Sequence, residues 1–137
     1  MPLDLCNVVH EGKDITIVSW GFALHKIRTL FLKKLSNKAE FDPEIIDLSS
    51  IYPIDYQTIF KSVKKTGSLI IVNEAPFTNN VASEIASTVQ EEMIESIKAP
   101  IVRVCGWDTP FPLVFEEFYL NLECKILDAI ERIKTFY

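Results

Sequence analysis

Glycine is scarce in this chain, with four in 137 residues. A phosphate-cradling loop needs several of them in one turn. Neither Gly-x-Gly-x-x-Gly nor a Gly-Lys-Ser/Thr loop is present, which excludes nucleotide binding of those two kinds. Histidine is scarcer still. His10 and His25 each lack a second ligand at i+3 or i+4, so a zinc site is not expected. The three cysteines, Cys6, Cys105 and Cys124, are odd in number and contain no Cys-x-x-Cys, which points to free thiols in a reducing compartment. Positive charge is in deficit: 14 Lys and Arg stand against 19 Asp and Glu, for a net charge of -5. No global cationic field therefore exists to hold a nucleic acid. The adjacent pairs Lys33-Lys34 and Lys64-Lys65 each fall near the end of an expected helix, where cations suit the dipole. Long apolar runs are missing as well, the longest being of strand length against the ~20 residues that cross a bilayer. Met1 to Leu5 carries neither the secretory pattern nor the Arg-rich amphipathic transit pattern, so no targeting segment is expected in the chain as given.

What is present suits one globular domain: 48% hydrophobic and 24% charged residues at close to the commonest domain length. Strands and helices are expected to alternate. Asp14 to Trp20 reads as a β-branched strand, followed by a helix over 22–35 with Leu24, Ile27, Phe31 and Leu35 on one stripe. Glu44 to Leu48 reads as a second strand. A helix from Tyr56 to Lys65 follows, with Asp55 as its N-cap and Gly67 where a left-handed C-cap is wanted. Ser68 to Asn73 is almost continuously apolar, which suggests burial on both faces of a parallel sheet. After a polar loop over 74–80, Val81, Ile85, Val89 and Met93 mark a third helix, and Ile101 to Cys105 a fourth strand. The stretch 106–112 is broken by two prolines and a glycine, and a last helix runs from Leu122 to Lys134 with Asn121 as its cap. The expected fold is a three-layer α/β/α sandwich with a mostly parallel mixed sheet over residues 13–137, and residues 1–12 form a leading segment, either linker or edge.

Catalytic signatures are missing, including Gly-x-Ser-x-Gly and His-Glu-x-x-His. His25 reads as a partly exposed helix residue rather than a general base. Glu74 follows a strand at the end where parallel sheets bind ligands, but with Ala75-Pro76 it equally suits a turn cap. Cys105 and Cys124 read as buried small hydrophobes, and Asp108 alone offers too few ligands for a metal. The run Trp107 to Tyr119, WDTPFPLVFEEFY, is the strongest anomaly. It places Trp107, Phe111, Phe115, Phe118 and Tyr119 in a stretch with little regular structure. Loops lie on the surface and aromatics dominate interface energetics, so this run reads as an interface. Its alternative is a loop folded down over its own sheet.

Taken together, Asp14 to Gly21 (DITIVSWG), Ile46-Asp47-Leu48 with Pro53 and Asp55, Ser62 to Gly67 (SVKKTG), and Glu74-Ala75-Pro76 with Ser83-Glu84-Ile85 resemble a known family. It is the C-terminal domain of β subunits of thiamine-diphosphate-dependent 2-oxoacid dehydrogenases, and the resemblance runs nearly the length of the chain. Within it, Val89 to Glu92, Arg103 to Gly106 and Asp108 to Tyr119 are most similar to the branched-chain (2-oxoisovalerate) enzyme; the pyruvate enzyme is the alternative. A free-standing binding module that reuses the fold is the other alternative.

The resemblance implies a transketolase C-terminal-like fold in a fragment of a longer β subunit, whose preceding domain holds the site that activates thiamine diphosphate. Catalytic, cofactor-binding and metal residues are therefore not expected here. Thiamine diphosphate and magnesium would belong to the full complex and not to this fragment, which alone would be inactive. The implied partners are an α subunit and a second β subunit in an α2β2 assembly, and a lipoyl-bearing transacylase core. Nucleic acid and membrane are not expected partners. Glu74, Pro76, Trp107, Asp108, Phe111, Phe115, Phe118 and Tyr119 are the implied subunit-interface residues, and Lys98 and Tyr137 the implied core contacts. A eukaryotic source would imply the mitochondrial matrix, a bacterial one the cytoplasm. Two positions depart from the family pattern. Asn79-Asn80 replaces two glycines, and Lys98 replaces a common acidic residue, reversing the charge that meets the basic binding domain of the core.

Overall fold

The computed structural model describes residues 4–35 and 41–137, the side chains of residues 32–35 excepted. The readings for Met1 to Leu3 and for the side chains of Lys33, Lys34 and Leu35 lie outside the described residues. The elements in chain order are β1 (Asn7–His10), β2 (Ile15–Ser19), α1 (Gly21–Leu35), β3 (Pro43–Asp47), α2 (Tyr56–Thr66), β4 (Leu69–Pro76), α3 (Val81–Met93), β5 (Val102–Gly106), α4 (Glu116–Leu120) and α5 (Leu122–Lys134), with a 3-10 turn at Leu113–Phe115. Among the described residues the strands form one sheet in the order β1-β3-β2-β4-β5. All pairings are parallel except that of β1 with β3. The layers are those expected: α1 and α5 cover one face, α2 and α3 the other.

The absence of alternation in the central strands follows from this sandwich. Ile17, Ile70 and Val72 face the α1 and α5 layer, while Val18, Leu69 and Ile71 face α2 and α3. A strand buried on both sides has no polar face to show. The hydroxyls that enter the sheet are matched, whereas the buried Asn73 side chain in β4 has no hydrogen-bond partner among the described residues. The Thr16 hydroxyl lies 2.6 Å from Ser62 Oγ and 2.8 Å from Thr66 Oγ1, and Ser19 donates to the Val72 carbonyl at 2.9 Å.

Caps set the ends of α2. The Asp55 carboxylate accepts from the Thr58 backbone N–H at 3.1 Å and from its hydroxyl at 2.6 Å. Gly67 closes the helix at φ 77°, and its N–H bonds Val63 O. The same Asp55 accepts from the Cys6 N–H at 3.1 Å, which ties the start of the chain to α2 just before β1. Burial, reinforced by the negative charge of Asp55, pushes the Cys6 thiol up to about 12, so it stays protonated.

Of the two alternatives for the leading segment, residues 7–10 take the second, as an antiparallel edge strand of the sheet. Three readings are corrected here. Cys124 is exposed rather than buried, because the apolar face of α5 is built by Leu122, Ile126, Ala129, Ile130 and Ile133 and Cys124 lies about 200° round the helix from Leu122. Asn121 precedes α5, but its side chain makes no capping bond; at φ 28° it is the corner between α4 and α5. The aromatic run is also more regular than expected, since residues 113–120 form the 3-10 turn and α4.

Candidate functional site

β4 does not stop at Asn73. It continues to Pro76, which pairs with Gly106 of β5 after an irregularity in the register. At that crossing, a Cβ on Gly106 would lie 2.7 Å from Glu74 O and 2.8 Å from the Tyr119 hydroxyl. Glycine thus leaves the space into which Tyr119 reaches. The Tyr119 hydroxyl donates to the Trp107 carbonyl at 2.6 Å, and its ring stands edge-on to Phe111 at 5.1 Å between centroids. Only 5% of Tyr119 is exposed, so it is a brace beneath the loop. The expectation that it faces a partner is corrected: the fifth aromatic of the run folds down, and Leu120 beside it is buried too.

Asp108 fixes the other side of the loop. Its carboxylate accepts from the Thr78 N–H at 2.9 Å and the Thr78 hydroxyl at 2.7 Å, and these bonds hold its pKa below the usual carboxylate range. Thr78 lies in the turn that leads into α3. There Asn79 adopts a left-handed φ of 55°, and the Asn80 side chain accepts from the Ser83 N–H at 3.1 Å as the helix N-cap. The two asparagines therefore do the work of a left-handed residue and a cap. Beside them the Arg103 guanidinium lies 3.9 Å over the Phe77 ring and donates to Phe77 O at 3.1 Å. Lys125 of α5 sits 4.3 Å over the Trp107 ring and donates to Cys105 O at 2.9 Å. Burial pushes the Lys125 ammonium pKa down and that of the Cys105 thiol up.

On this frame the remaining apolar side chains stand in solvent. Exposure is 57% for Trp107, 47% for Phe111, 82% for Leu113, 89% for Val114, 61% for Phe115 and 79% for Phe118. Glu74, Pro76 and Asp108 are exposed around them. A cavity of about 960 Å³ opens between the loop and α5, walled by Phe77, Arg103, Trp107, Lys125, Asp128 and Arg132. Exposed apolar side chains of this number in one stretch, with charged residues beside them, have the composition of an interface. The sequence reading missed Leu113, Val114 and the cation-on-ring pairs of Phe77 and Trp107. The helical spacing of 113–120 carried the first signal, whereas nothing local carried the second.

Lys98 and Tyr137 lie at the opposite end of the sheet, where the parallel strands begin. They line a second cavity, of about 440 Å³. His25 is exposed on α1. Among the described residues no group of three His, Cys, Asp or Glu side chains is placed to hold a metal ion, and no helix is long and apolar enough to cross a membrane.

Residues 4–126 match the family model for the transketolase C-terminal domain. The chain is 43% identical over 136 residues to the mitochondrial 2-oxoisovalerate dehydrogenase subunit beta of Dictyostelium discoideum, covering 99% of this chain and 36% of that protein. It is 38% identical over 134 residues to a pyruvate dehydrogenase subunit beta of Leifsonia xyli, covering 96% of this chain and 39% of that one. Among solved structures, a split-gene transketolase described as an inactive beta4 tetramer superposes with a TM-score of 0.80 at 23% identity, over 99% of this chain and 43% of that one. The chain thus spans little more than a third of the length of the relatives it matches.

Proposed function

The chain belongs to the transketolase C-terminal domain family, and from that membership we propose that it is the C-terminal assembly domain of a branched-chain 2-oxoacid dehydrogenase β subunit. The whole enzyme would decarboxylate 3-methyl-2-oxobutanoate and related acids and pass the acyl group to lipoamide. The observation that carries this reading is the exposed apolar surface of residues 107–118, held rigid by Tyr119 and Asp108, on a chain whose similarity to β subunits extends over almost its full length. The higher identity to the 2-oxoisovalerate relative supports the branched-chain branch. The similarity to a pyruvate dehydrogenase β subunit keeps that enzyme as the second reading.

In this assembly the surface around Trp107, Phe111, Phe115 and Phe118 meets the α subunit or the second β subunit of an α2β2 complex. The Lys98 and Tyr137 end meets the lipoyl-bearing core. When bound, thiamine diphosphate supplies the carbanion-stabilising chemistry of such an enzyme. The residues described here do not fit it, since they offer neither a glycine-rich phosphate cradle nor a cluster of hard oxygen ligands for its magnesium, and no catalytic step is assigned to them. Calorimetry should find no micromolar binding of thiamine diphosphate with magnesium to residues 1–137; such binding would overturn that assignment. A eukaryotic source places the protein in the mitochondrial matrix, a bacterial one in the cytoplasm.

The reading is tested by expressing the full-length β subunit with its α partner and assaying 3-methyl-2-oxobutanoate against pyruvate. Thiamine-dependent turnover that favours the branched substrate is expected. Preference for pyruvate selects the second reading, and no thiamine-dependent turnover contradicts both.

A further inference from the structure

Among the described residues β5 is an edge of the sheet, and the cavity of about 960 Å³ runs along it as a groove lined by the whole strand, residues 102–106. One wall is a stripe of α5 that carries Lys125, Asp128 and Arg132, spaced three and four apart on one side of the helix. The other wall is Phe77 with the Arg103 guanidinium stacked on it, and Trp107 stands at the carboxyl end. An edge strand leaves backbone N–H and C=O groups without a neighbour. Among the described residues, 102–106 make no backbone bond outside the ladder with β4. Cys105 marks the outward direction, since its carbonyl accepts from Lys125 Nζ at 2.9 Å. By the two-residue period of a strand, Arg103 turns its backbone groups the same way. The charges of the groove do not cancel. Arg103, Lys125 and Arg132 face Asp108 and Asp128 there, and Asp108 is already bonded to Thr78. Asp128 offsets one of its two neighbours on α5, so that wall keeps one cation in excess; none of Arg103, Lys125, Asp128 and Arg132 is in an ion pair among the described residues.

We propose that the β5 edge receives an extended acidic segment of a chain other than this one, which adds to the sheet as a further strand beside β5. Its backbone pairs with Arg103 and Cys105, and carboxylates on alternate residues face the α5 wall at Lys125 and Arg132. The Cys105 carbonyl has two lone pairs, so it can accept from the segment while it holds Lys125. In this mode backbone bonds supply affinity and alternate side chains supply specificity. Charge complementarity selects the occupant. A basic segment would meet the cation excess, and a second copy of this chain, pairing its β5 edge to edge across a two-fold axis, would bring an identical Lys125 and Arg132 wall against the first. Trp107 belongs both to the groove and to the exposed apolar surface of residues 107–118, so the two are continuous. The inference rests on the reading of that surface as an assembly face, and it specifies how the partner engages the sheet.

Two experiments on the full-length β subunit test this. The first compares amide hydrogen exchange of residues 102–106 in the subunit alone and in its complex with the α partner, with assembly followed by analytical ultracentrifugation. Exchange at Arg103 or Cys105 should slow by about tenfold or more in the complex. A complex that forms without this protection overturns the proposal and leaves the assembly reading standing. The second uses anisotropy to read binding of fluorescent acetyl-Thr-Glu-Val-Glu-Thr-amide, its counterpart with Lys for Glu, and two copies N-methylated on alternate backbone nitrogens in either register. The acidic peptide should bind about tenfold more tightly than the basic one, and at least one methylated copy should weaken by about as much, because methylation removes ladder donors and keeps the side chains. Arg132→Glu should remove the preference for the acidic peptide, whereas Lys61→Glu, on α2, should leave it intact. Equal or tighter binding of the lysine peptide overturns the proposal, as does undiminished binding of both methylated copies or an equal loss with Lys61→Glu. Subunits that do not assemble count against the proposed function, and the peptide result then decides the edge site by itself.

Discussion

Asp108 shows how a single side chain can hold the geometry of an exposed loop. Its two bonds to Thr78 lower its pKa, so the folded state binds the Asp108 proton less readily than the unfolded chain does. The contact is therefore complete above the ordinary carboxylate range and is lost as pH falls through the lowered folded value. The Thr78 amide resonance should move with pH in that acidic window, and Asp108→Asn should abolish the movement. A Thr78 shift that is independent of pH would contradict the contact. Tyr119 works from beneath, and Tyr119→Phe should cost about 1 kcal/mol in a urea melt, the usual worth of one hydrogen bond. Burial of Tyr119 was not legible in the sequence, because it depends on the missing side chain of Gly106, thirteen positions away in another element. The left-handed and capping roles of Asn79 and Asn80 were legible, since they use the local conformational range of that residue type.

Elements whose signals are local appear where the sequence places them, and those whose signals are distant do not. α2 is bounded by Asp55 and Gly67 as read, because a cap acts within three residues. β1 was left open between linker and edge, since its pairing with β3 depends on residues nearly forty positions away. α4 is five residues long and carries no side-chain cap, so its start has no local mark. Asp55 joins the two kinds of element by bonding both Thr58 and Cys6. Asp55→Ala should lower stability by about 1 kcal/mol or more through the cap and raise amide exchange in residues 6–10; unchanged exchange there would show that β1 is held by β3 alone. Gly106→Ala should cost ~1–3 kcal/mol, because the new methyl meets Glu74 O and the Tyr119 hydroxyl at under 3 Å. The same change should raise the exposure of Tyr119, read by fluorescence quenching.

The whole molecule presents two candidate surfaces at opposite ends of one core. At the carboxyl ends of β4 and β5 stands the braced apolar surface, and at the amino ends lies the lysine-lined cavity. The sandwich and the aromatic surface were legible because hydrophobic period and aromatic density are sequence properties. The convergence of Lys13, Lys65, Lys98 and Lys134 was not, because residues from four separate parts of the chain meet only in the fold. The central claim is that the surface of residues 107–118 is an assembly surface and not a misplaced core. The most direct measurement compares α2β2 assembly, by analytical ultracentrifugation, with the melting of the domain for Trp107→Ala, Phe115→Ala and Phe118→Ala in the full-length protein. Weaker assembly, by ~2 kcal/mol or more at an anchor, is expected with little change in melting of residues 1–137. Normal assembly together with a lowered melting temperature would contradict it.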